Sequence, residues 1–79
     1  MTSFDANVTV NGERLNFSFN RIYTLAREKY VVGVFKDHRL FQFDMMKKDG
    51  RNWTICEPAP GWAKEIEWQL SDNIHKNSP

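Results

Sequence analysis

Apolar and polar residues alternate from Phe4 to Val10 and again from Arg14 to Phe19, with Asn11-Gly12 between the two runs. Alternation at period two marks a half-buried strand, and Asn-Gly between two such runs marks a two-residue hairpin turn with positive φ at both positions. The turn fixes the register: Val10 faces Glu13, Val8 faces Leu15, Ala6 faces Phe17 and Phe4 faces Phe19. Opposed residues share a side of the sheet, so Phe4, Ala6, Val8, Leu15, Phe17 and Phe19 form one apolar face. The other face carries Asp5, Asn7, Thr9, Arg14, Asn16 and Ser18.

The same pattern predicts two more hairpins. Closing the polar stretch Lys36-Asp37-His38-Arg39 pairs Val34 with Phe41, Val32 with Phe43 and Tyr30 with Met45. A three-residue loop Lys48-Asp49-Gly50, with glycine at the left-handed position, pairs Lys47 with Arg51, Met45 with Trp53 and Phe43 with Ile55. The stretch between Asn20 and Lys29 reads two ways. Ile22, Leu25, Ala26 and Tyr30 fit helical spacing with Asn20 as cap. The strand reading carries the apolar face through Tyr23 and Leu25, turns at Ala26–Lys29, and sets Leu25 beside Tyr30 and Tyr23 beside Val32. It gives the rows Leu25–Tyr30–Met45–Trp53 and Tyr23–Val32–Phe43–Ile55. It leaves Arg21 on the apolar side, which predicts a bulge or bend near Asn20–Ile22.

Glu57-Pro58-Ala59-Pro60-Gly61 ends the sheet. Beyond it, Trp62, Ala63, Ile66, Leu70 and Ile74 fall within an arc of about 120° on a helix over 62–75. Early Glu65 and Glu67 and late His75 and Lys76 suit the helix dipole. The architecture predicted is α+β: a five-stranded antiparallel meander, open or partly closed as a barrel, with a C-terminal helix across its apolar face in two layers. Its elements are strands at 4–10, 13–25, 30–36, 40–47 and 52–56, the helix, and a frayed tail at 77–79. A chain of 79 residues with 41% hydrophobic content forms one domain around one core.

Some residues are left over once that core is assigned. The outer sheet face carries Ile22, Val31, Phe35, Leu40 and Met46 around Gly33 where a solvated face would be polar. These residues suit a self-association or ligand surface, or else a coiled sheet with both faces partly covered. Trp68 falls outside the helix's apolar arc, beside Lys64, Ser71 and His75; it suits a protein contact, or a cover over a strand edge or the loop from Glu57 to Gly61. Interface candidates are therefore Val31, Phe35, Leu40, Met46 and Trp68.

Net charge is +1, which disfavours a general polyanion binder. The meander does bring Arg27, Lys29, Lys47, Lys48 and Arg51 to one end against Glu28 and Asp49, an anion-binding candidate. Phe41 and Phe43 are committed to the core and cannot stack bases there, so nucleic acid is disfavoured as a partner. No catalytic residue set is predicted. His38 and His75 have no fixed spacing to Cys56, and Asp44 and Glu57 beside Thr54 and Cys56 read as solvated carboxylates. No metal-ligand spacing or glycine-rich phosphate loop occurs, so no metal or cofactor is predicted. The three Asn-x-Ser/Thr triplets at Asn7, Asn16 and Asn52 arise from strand alternation. A lone cysteine, with neither signal segment nor membrane span, predicts a cytoplasmic location. The sequence thus points to a small non-catalytic interaction domain that binds itself or another protein through the outer sheet face. Weak anion or nucleic-acid binding is the second reading and an enzyme the third.

Overall fold

The computed structural model describes residues 3–23, 28–48, 50 and 52–77, except for the side chain of Lys48. Five antiparallel strands run in sequence order as an open sheet curled like a half-barrel, and a C-terminal helical segment packs against it. The strands are β1 (Ser3–Val10), β2 (Glu13–Tyr23), β3 (Glu28–Lys36), β4 (Arg39–Lys48) and β5 (Asn52–Ile55). The helices are α1 (Gly61–Glu65) and α2 (Glu67–Asn77).

The first hairpin has the register its turn dictates, from Val10↔Glu13 to Phe4↔Phe19, with Asn11 at φ 49° and Gly12 at φ 81°. The hairpin at Asp37-His38 also closes as read, pairing Tyr30 with Met45, Val32 with Phe43 and Val34 with Phe41. Two other pairings differ from expectation. β2 and β3 pair Arg21 with Tyr30 and Phe19 with Val32, so β2 ends at Tyr23 and β3 already begins at Glu28. Tyr23 faces Glu28 and is 60% exposed, outside the core. The connection at 24–27, which includes Leu25, lies outside the described residues. β4 and β5 pair Met45 with Ile55 and Lys47 with Trp53, a two-residue slip from expectation. Both differences preserve which side of the sheet each residue faces, which is all an alternating pattern specifies.

The rows formed are Ala6–Phe17–Val34–Phe41, Phe4–Phe19–Val32–Phe43 and Arg21–Tyr30–Met45–Ile55. Of the bulge or bend expected near Asn20–Ile22, the bulge is absent: pairing runs unbroken from Phe17 to Tyr23. Arg21 instead lies at the rim of the concave face, ion-paired to Glu28, with its guanidinium 4.8 Å from the Tyr23 ring centre and 5.9 Å from that of Tyr30.

The helix is broken where a continuous one was predicted. Ile66 has φ −110° and ψ 16°, and its N–H bonds to the Ala63 carbonyl at 3.2 Å. The break separates two packing tasks. Trp62 on α1 meets Phe41 and Phe17 edge-on at 5.5 and 6.4 Å. Leu70 and Ile74 on α2 are fully buried among the inward residues of the sheet. The core also includes Phe17, Phe19, Val32 and Met45, each with no exposed surface. Phe4 stacks on Phe19 at 4.6 Å, and Tyr30 meets Trp53 edge-on at 4.9 Å.

Candidate functional site

The outer, convex face is where the leftover apolar residues meet solvent. Phe35 and Leu40 are direct cross-strand partners beside the Asp37-His38 turn. They are 68% and 54% exposed. The sequence grouped them with Val31 and Met46, but the structure separates the two pairs. Ser18, Gly33 and Gln42 lie across the sheet between them, and Val31 is about 13 Å along β3 from Phe35. Val31 and Met46 are half-buried and flank an ion pair between Lys29 Nζ and Asp44 Oδ2 at 3.1 Å; Ile22, 38% exposed, lies opposite Lys29. The contiguous exposed apolar pair on this face is Phe35–Leu40.

A second concavity lies between α2 and β5. It holds about 440 Å³ and is lined by Asn52, Trp53, Thr54, Glu67, Trp68, Ser71, Asp72 and His75. Trp68 lines this cleft across from β5 and leaves 68% of its surface exposed. Ser71, read as part of the helix's polar side, is buried instead: its Oγ accepts the Trp53 N–H at 3.0 Å. One turn earlier, Glu67 Oε2 accepts the Ile55 N–H at 2.8 Å. The Trp53 and Ile55 groups point away from β4, so α2 uses two side chains to satisfy the free edge of β5. Sequence reading missed this role because a polar residue facing a strand edge looks the same as one facing water. Asp72, also in the lining, pairs with Lys76 at 3.1 Å.

The remaining chemistry is dispersed. Cys56 lines a shallow cleft of about 170 Å³ with Asp44 and Glu57, while His75 lies in the Trp68 cleft and His38 in an exposed turn. The Asp44 carboxylate is held by Lys29, and Glu57 pairs with Lys64. Among the described residues, no group of three or more His, Cys, Asp or Glu side chains is placed to hold a metal. At the basic end, Lys29 is paired to Asp44 and Lys47 lies 5.6 Å from the Trp53 ring centre. Arg27, Arg51 and the Lys48 side chain lie outside the described residues. The hydrogen bond to Glu28 raises the Arg21 pKa above its ordinary value, against the opposing effect of burial, so the guanidinium stays charged. No helix among the described residues is long and apolar enough to cross a membrane. No protein-family model matches this chain, and neither the curated proteins nor the solved structures compared with it gave a match.

Proposed function

We propose that this chain is a small, non-catalytic interaction domain that associates with a second copy through its convex face, with Phe35 and Leu40 at the contact. The observation that carries this reading is their exposure: two large apolar side chains paired directly across β3 and β4, with no part in the core. A second copy is the fitting partner because a two-fold contact lets one small patch meet itself. Full burial of both residues contributes about 3–5 kcal/mol per subunit, set against about 4–15 kcal/mol of association cost. The contact is therefore weak and concentration-dependent, well below a standard interface of about 800 Å² per partner. Anion binding has less support, because Lys29 and Lys47 already have partners within the fold.

Sedimentation across a concentration series tests the reading. Wild type should show reversible association, and Phe35→Ser with Leu40→Ser should weaken it at least tenfold while the domain stays folded. A wild type that is monomeric at millimolar concentration overturns the proposal. So does a double variant that associates as strongly as wild type, or one that unfolds, since unfolding would assign this face to the core.

A further inference from the structure

The two edges of the sheet are treated differently. At β5, Glu67 and Ser71 accept the outward N–H groups. At β1, the Asn11-Gly12 turn makes Val10, Val8, Ala6 and Phe4 the residues bonded to β2. The N–H and C=O groups of Asp5, Asn7 and Thr9 therefore point out of the sheet, and among the described residues no side chain is bonded to them. An open edge is a template for another strand, and natural edges are blunted by lysine, proline, bulges, brevity or a covering helix. β1 has no lysine, proline or bulge; α2 packs beside Val8 and Val10 on the concave side, but among the described residues no hydrogen bond from the helix reaches the β1 edge. β1 is 8 residues long, reads Ser-Phe-Asp-Ala-Asn-Val-Thr-Val, and pairs with β2 without interruption.

We propose that β1 pairs antiparallel with β1 of a second copy, across a two-fold axis, joining two sheets into one. The strand is complementary to itself. Its single charge is Asp5, and registers centred on Ala6 or Asn7 put Asp5 opposite Asn7 or Thr9, never opposite its own copy. On the concave side, Phe4 and Ala6 are only partly buried at the rim of the core, and the added strand covers what remains exposed. This contact is independent of the Phe35–Leu40 face, which lies on β3 and β4.

Amide hydrogen exchange, measured on the whole chain from dilute to millimolar concentration, tests the pairing. Asp5, Asn7 and Thr9 amides should gain at least tenfold protection as concentration rises, both in wild type and in the Phe35→Ser, Leu40→Ser variant. Asn7→Pro should abolish that gain at Asp5 and Thr9. The Asn7 N–H lies outside the β1–β2 ladder, so proline there leaves the fold intact; unchanged protection of Phe17 and Phe19 would show this. Edge amides that exchange equally fast at every concentration overturn the strand pairing, even if sedimentation shows association through the convex face. A gain that survives Asn7→Pro also overturns it.

Discussion

Glu67 and Ser71, one helical turn apart on α2, accept the backbone N–H groups of Ile55 and Trp53, alternate residues of β5. The helix thereby closes the short last strand, and its attachment to the sheet is polar as well as apolar. Ser71 is 6% exposed, so Ser71→Ala leaves the Trp53 N–H unpaired and out of water. The cost should be about 1–3 kcal/mol, a fall in Tm of about 4–8 °C for each kcal/mol lost. Glu67→Gln keeps an acceptor for Ile55 and should cost less than Glu67→Ala. Thermal melts of the three variants check this ordering.

Phe43 ends the apolar row Phe4–Phe19–Val32–Phe43 on the concave face and is 4% exposed. Phe43→Ala should cost about 3–5 kcal/mol, because the surrounding strands cannot collapse into the space left. Urea denaturation measures it. A midpoint close to wild type would show that the concave face is not the core.

The contrast between correct and displaced registers follows from what each turn specifies. Asn11-Gly12 determines both the place and the geometry of its hairpin, and every pair of β1 and β2 follows from it. Between β2 and β3 the apolar pattern dictates only side, and positions Tyr23 and Leu25 both satisfied it. The alternative chosen by the fold sets Tyr30 beside Arg21, where the phenol ring and Glu28 accommodate a cation that the apolar row would otherwise reject. The same ambiguity displaced β5 by two residues, setting Trp53 opposite Lys47 and still on the concave side. The apolar arc of the helix was legible at Ala63, Ile66, Leu70 and Ile74, all buried. Its break at Ile66 was not, since no proline or glycine lies there. At the candidate site, Phe35 and Leu40 were legible because they violate alternation at solvent-facing positions; the separation of Val31 and Met46 from them depends on the Ser18–Gly33–Gln42 row.

Arg21 is the one charged side chain of β2 on the concave side that is held near the core, 13% exposed, with its Nε unpaired. Its partner Glu28 is 41% exposed and can return to water. Replacing such a cation with an apolar residue of similar volume removes a desolvation cost and strands no buried charge. Arg21→Leu should therefore be neutral or stabilising by about 1 kcal/mol, whereas Arg21→Asp, placed beside Glu28, should be strongly destabilising. Melting in low and high salt gives the check, with Arg21→Leu showing less salt dependence than wild type.

The convex-face pair yields the opposite expectation from the core. Phe35 and Leu40 are more than half exposed in the monomer, so polar substitution removes little that the fold uses. Single surface replacements of this kind fall within about 0.5 kcal/mol of neutral. Phe35→Ser with Leu40→Ser should therefore melt within a few degrees of wild type in dilute solution, where no second copy is bound. At millimolar concentration the comparison changes. A bound copy adds stability in proportion to the logarithm of its concentration over the dissociation constant, so wild type should gain Tm with concentration more steeply than the double variant. Calorimetric scans at rising protein concentration measure both slopes. Equal slopes would remove Phe35 and Leu40 from the contact, while a large loss of Tm already present in dilute solution would return them to the folding core.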